Sequence, residues 1–234
     1  MDTTNHKSVG YAATQPAHVQ IRMVLDTVKA LGDDIRKWSA TARNLRHVGT
    51  VDVEDEQGNL IGTAPKLALL VVSTVFRQHF VKSPDSTKVK ISTPKIENAA
   101  MALILKWVHT MIGNPTAKHG LHIPGPNIDL IKVRYAAIKL GMGQYIGHFN
   151  RAYKNDLRAR TPTQDECIVL ERLAIDSDDE LVVAAGERLG YLRRTRQMLP
   201  VTITALAAFL ESSPNMRASV EAADHRASLR SRRY

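Results

Sequence analysis

The sequence predicts an α+β fold, with a mainly helical core around a small sheet, a long N-terminal helix and an all-helical C-terminal extension. Three observations lead there. Apolar residues recur in steps of three and four from Ile21 to Leu45. Short period-two alternation is confined to two places, near 51–61 and 88–91. Beyond residue 160 every periodic stretch is helical. A chain of 234 residues, 44% hydrophobic and 24% charged, can bury the core of one large domain or two small ones.

Residues 1–15 are polar and are expected to form a disordered tail. From Pro16 to Arg46, Ile21, Val24, Val28, Leu31, Ile35, Trp38, Ala42 and Leu45 draw one apolar stripe along a helix. Gly32 interrupts it at a cost of about 1 kcal/mol. Asp33 and Asp34 after it leave a second reading open, with one helix ending and another starting. Residues 16–46 are therefore read as an N-terminal helix or helices. The stripe has two uses: folding back on its own domain, or self-association. Ile21, Val24, Val28, Leu31, Ile35 and Trp38 are the candidate dimer interface.

In "TVDVEDEQGNLIGTAP", Val51 and Val53 alternate with acidic residues, and Gln57-Gly58-Asn59 supplies turn chemistry, so a β-hairpin is expected. Thr63 is placed to cap the next helix, with Pro65 in its first turn. "KLALLVVSTVFRQHFV" (66–81) poses a choice between strand, membrane span and core helix. Its apolar run, Leu67 to Val72, is far shorter than the roughly 20 residues of a bilayer span. Leu69, Ser73, Phe76 and Phe80 fall at helical steps, so one buried helix is expected. A strand at 88–91 follows, then a helix capped by Ser or Thr ahead of Pro94. A Gly/Pro-rich connection spans 113–127, and a further helix ends at Gly141. Helices over about 163–175, 178–197, 202–211 and 214–230 are punctuated by Pro162, Pro200 and Pro214.

The order of these elements resembles the BTB/POZ fold, also seen in elongin C-type proteins. "APKLALLVVSTVFRQHF" carries Lys66, Leu69, Ser73, Phe76 and Phe80 in a register similar to that family's helix pattern. "ALILKWVHT" (102–110), with Trp107 and His109, and "AAIKLGMGQY" (136–145) look like later family motifs. The match covers about residues 50–150, within an expected domain of 50–155, and leaves 160–234 as a helical extension with a basic tail. The wording is nearest to divergent BTB-like proteins of filamentous fungi that carry such a tail. Pro65 departs from the pattern, standing where the family usually has a buried His. The resemblance implies dimerisation through the N-terminal helix. It also implies a partner such as a cullin-type ubiquitin ligase scaffold or a transcriptional co-regulator.

Composition narrows the function classes. The lone Cys167 cannot form an internal disulfide, and no leading apolar segment reads as a signal peptide. An intracellular protein, cytoplasmic and/or nuclear and without a membrane span, is expected. His109, His119 and His122 lie close in sequence but lack the carboxylate or Cys partners of a zinc site. "DSDDE" (176–180) suits a helix N-terminus better than a cation loop. Cys167 sits on an amphipathic helix as a small hydrophobe. No catalytic motif or cofactor site is found, and neither an enzyme, a metal nor a cofactor is expected.

The leading expectation is a non-enzymatic protein–protein interaction module, an adaptor or regulator that self-associates through its BTB-like core and N-terminal helix. The alternative is a nucleic-acid-associated regulator. It rests on the net charge of +9 and on Arg193, Arg194, Arg196, Arg230, Arg232 and Arg233. Aromatic residues make up only 5%, too few for an evident base-stacking platform.

Overall fold

The computed structural model describes residues 15–43, 49–114, 119–123, 125, 127–176 and 178–231, without the side chains of 230 and 231. The described residues are mainly helical, with a small three-stranded sheet, so the fold is α+β. Two compact units divide the chain. The first draws on Met1–Pro124 and Ala136–Ile146, the second on Gly125–Tyr135 and Gly147–Tyr234.

In the first unit, helix α1 (Ala17–Leu31) stops at Gly32, whose φ of 80° lies in the left-handed region that glycine tolerates. A continuous helix over 16–46 is therefore not what forms. The Asp34 side chain accepts from the Arg36 backbone N–H and turns the chain into a single 3-10 turn, Ile35–Lys37. No second α-helix follows through residue 43; Leu45 and Arg46 lie outside the described residues.

Strands β1 (Thr50–Glu54) and β2 (Leu60–Pro65) form the expected antiparallel hairpin, and β3 (Lys88–Lys90) pairs parallel to β1, giving the order β2-β1-β3. Asp55 closes the hairpin by accepting from the backbone N–H groups of Gln57 and Asn59. Thr63 lies inside β2 and caps nothing, so the helix starts later than expected.

A parallel third strand needs a crossover, and helices α2 (Lys66–Val72) and α3 (Thr74–Lys82) provide it. One helix was expected here; two form. Ser73 leaves helical geometry (φ −130°, ψ 127°). Its hydroxyl accepts from Phe76 N–H and donates to the Leu140 carbonyl at 2.6 Å. The register Leu69, Ser73, Phe76, Phe80 is still wholly buried, supplied by both helices.

Helix α4 (Asn98–Gly113) packs on β2. It begins beyond the expected cap near Pro94 because Lys95 adopts a φ of 66°, which a helix cannot contain. Helix α5 (Asn127–Lys139) ends in the expected glycine cap. Gly141 has φ 69°, and Met142 N–H donates to the Ala137 carbonyl at 2.8 Å.

The described residues of the second unit hold helices and their connections, with no strand. It contains the first part of α5 and helices α6 (Gly147–Asp156), α7 (Gln164–Leu173), α8 (Glu180–Arg194), α9 (Pro200–Glu211) and α10 (Pro214–Ser231). The division thus departs from the expected boundaries of 50–155 and 160–234. The physical reason is a buried ion pair. Arg134, in the first part of α5, donates to Asn150 of α6 at 2.8 Å and to Asp179 at 2.9 Å. Asp179 also caps α8 by accepting from Leu181 N–H, the capping role expected of "DSDDE".

Helices α8 and α10 form the tightest crossing. A Cβ on Gly186 would overlap Ser219, and one on Gly190 would press on Asp224 and Ala223. No described helix is long and apolar enough to cross a membrane.

Candidate interaction surfaces

The N-terminal stripe is not an open seam. Ile21, Val24, Ile35 and Trp38 are buried, Val28 is half-buried, and of the six only Leu31 is exposed. Helix α1 spends its apolar face on α2 and α3 of the same unit. The segment after it is fastened by polar contacts. The Tyr145 hydroxyl donates to the Asp33 carbonyl at 2.6 Å and accepts from Ile35 N–H at 3.0 Å.

Arg36 pairs with Asp34 at 2.8 Å, donates to the Gln144 carbonyl and lies over the Tyr145 ring. Arg43, only 1% exposed, donates to the carbonyls of Trp38 and Arg36. Burial outweighs its neighbours and lowers its pKa. Four of the six candidate interface residues, Ile21, Val24, Ile35 and Trp38, are thus spent inside their own unit, and a buried side chain cannot also meet a partner in this fold. Val28 and Leu31 keep exposed surface.

The basic candidates separate by environment. Arg193 and Arg194 both pair with Asp224 of α10, so one carboxylate answers two guanidiniums. Arg196, two residues on, is exposed with φ 56° and makes no ion pair among the described residues. The side chain of Arg230, and Arg232 and Arg233, lie outside the described residues. Phosphate binding would thus have to compete with Asp224 for the first two arginines.

The remaining candidates have structural occupations. His109 Nε2 donates to the Thr63 carbonyl at 2.7 Å, which covers part of the β2 edge. The His119 carbonyl accepts from the Trp107 indole at 3.4 Å, and His122 is exposed. No group of three potential metal ligands occurs among the described residues. Cys167 is buried, and burial first, then the Glu166 charge, pushes its thiol up to about 12. It is therefore protonated at neutral pH and a poor nucleophile. Lys66, beside the anomalous Pro65, is buried. It donates to the Pro84 and Ser86 carbonyls and lies over the Phe80 ring, tying the loop before β3 to the crossover helices. That burial lowers its pKa.

One surface went unrecognised in the sequence. Between Arg196 and Glu211 no residue carries a charge, and α9 fills most of that run. A helix uncharged up to its last residue and apolar on most sides is normally a buried one. Here only Leu206 and Leu210 are buried, against α10 and neighbouring helices of the unit. Leu199 is 70% exposed and Val201 73%, and Thr204, Ala207 and Ala208 are exposed beside them.

The Thr204 hydroxyl donates to the Pro200 carbonyl at 3.3 Å, which turns its hydrogen-bonding capacity inward. On the other flank of α9 a cavity of about 110 Å³ opens toward α7 and α8, lined by Gln164, Cys167, Leu189, Met198, Leu206 and Phe209. The signal that could have revealed this surface is the uncharged run itself, which lacks the polar side that an ordinary surface helix shows. Comparison of the chain with protein-family models, curated proteins and solved structures finds no match.

Proposed function

We propose that this protein is a non-enzymatic interaction module with a BTB/POZ-like first unit, acting as an adaptor or regulator inside the cell. The observation that carries the reading is α9. A helix without charge before its last residue, Glu211, with Val201 and the preceding Leu199 largely uncovered, is the kind of surface that marks a docking site. The BTB/POZ-like reading draws support from the order of elements. A hairpin leads into two short buried helices joined at Ser73, a third strand returns parallel to β1, and α4 lies on β2.

Cys167 also favours a non-enzymatic role, because the only thiol is held in its unreactive form. Lys66, in the register that the resemblance quotes and next to Pro65, ties the loop before β3 to the crossover helices through the Pro84 and Ser86 carbonyls.

The partner classes that the resemblance implies are a cullin-type scaffold and a transcriptional co-regulator. Titration calorimetry of the purified chain against each tests them. Micromolar binding supports the class that binds; no heat from either at about 100 µM would remove both. The nucleic-acid alternative keeps Arg196 and the tail arginines as its basis. Binding to duplex DNA that weakens steeply with salt, and weakens again after deletion of 225–234, would favour it.

A further inference from the structure

The uncovered face of α9 carries information about what covers it. Val201, Thr204 and Ala208 follow one side of α9, while Ile203, Leu206 and Leu210 turn toward the unit's own core; Leu199, the N-cap before the helix, is exposed. Nothing along this side is charged, so a highly charged partner would be desolvated there without compensation. The two ends are different. Arg196 lies before the helix and Glu211 closes it, both exposed and neither engaged in an ion pair among the described residues. Opposite charges at opposite ends of an apolar segment match the same segment reversed.

We propose that α9 pairs antiparallel with α9 of a second copy of this chain, across a twofold axis near Thr204. That register brings the N-cap Leu199 of one copy toward Ala208 of the other. It also brings Arg196 toward Glu211 at both ends. A twofold contact is self-complementary by construction, so each feature counts twice. Thr204, its hydroxyl returned to Pro200, presents its methyl near the axis.

The paired helices are about 18 Å long. An interface of this length lies at the small end of specific contacts, so a reversible dimer in the micromolar range is expected. The seam is distinct from the N-terminal one, four of whose six residues are buried in their own unit. The inference rests on the interaction-module reading only in that both require α9 to be uncovered.

Sedimentation equilibrium of the full chain tests it. Wild type should show a concentration-dependent monomer–dimer equilibrium. Ala208→Glu changes an exposed helical position without touching the core. It should abolish the dimer while leaving the circular dichroism spectrum and melting temperature unchanged. Arg196→Glu and Glu211→Arg should each weaken dimerisation by about tenfold, since each disturbs two symmetry-related pairs. The double variant Arg196→Glu/Glu211→Arg should restore it.

A wild type that stays monomeric at about 200 µM overturns the proposal. So does a dimer indifferent to Ala208→Glu, and so does failure of the double variant to rescue. A monomer that still binds a cullin-type scaffold or co-regulator would end the dimer and leave the interaction reading standing. A dimer that binds neither would do the reverse.

Discussion

Helices α2 and α9 are the two most apolar helical runs of the chain, and they meet opposite fates. All seven residues of α2, Lys66 included, are buried. In α9 two of twelve are. Hydropathy does not separate them; their neighbours do. Helix α2 is flanked by α1, α3, α4 and β2, which leave it no open side. Helix α9 rests on α10 and faces outward beyond Leu206 and Leu210. The same composition is a core in one place and a docking face in the other, depending on whether the fold supplies a second layer.

That contrast can be broken by substitution. Leu70→Ala in α2 should destabilise the protein by about 2–5 kcal/mol, the transfer loss plus a cavity that seven enclosed residues cannot close. Val201→Ala in α9 should stay within about 0.5 kcal/mol, since that side chain is already in water. Chemical denaturation of both variants decides; equal losses would mean that α9 is covered after all.

The next effect concerns the frame that holds the second unit. Asp179→Ala would leave the buried Arg134 guanidinium without its carboxylate and α8 without its cap. It should cost about 3 kcal/mol by the same measurement. Smaller again is Gly141→Ala, at about 2 kcal/mol. The left-handed φ resists a Cβ, and the new atom would overlap the Thr74 hydroxyl at the start of α3. A thermal melt should show it, and an unchanged melting temperature would mean that α3 shifts to accommodate the methyl.

The smallest effect is on pH dependence, and it sharpens the first unit alone. Hydrogen bonds from the Asn59 and Asn98 side chains, with backbone donors behind them, hold the Asp55 carboxyl down to about 2. Its folded pKa lies below the unfolded value, so its contribution is complete above about pH 4. It fades as the pH falls through about 2. Asp55→Asn should flatten that acid limb of the stability curve while leaving the neutral plateau nearly level.

Much of the local structure was legible in the residues. The hairpin followed from alternation around a Gly-Asn turn, and the Gly141 cap from a glycine at the end of a periodic run. Asp179 announced a helix start through its charge. The break at Ser73 was missed, and the one at Gly32 stood only as one of two readings, for a common reason. Gly32 and Ser73 both sit in runs with unbroken apolar periodicity, and periodicity is silent about a break whose benefit lies elsewhere in the chain. Ser73 leaves the helix because Leu140 accepts its hydroxyl. The segment after Gly32 leaves it because Tyr145, more than a hundred residues away in sequence, holds Asp33 and Ile35.

By itself, the sequence determined where charge, glycine and apolar period permit helix, strand and turn, since those are local preferences of backbone and side chain. Only the tertiary structure decided which apolar faces are used up. Most of the N-terminal stripe, a candidate partner face in the sequence, is consumed within its own unit, and most of α9, as apolar as a core helix, is left in water. Burial is a property of what lies opposite a face, and no stretch of sequence carries its own opposite side.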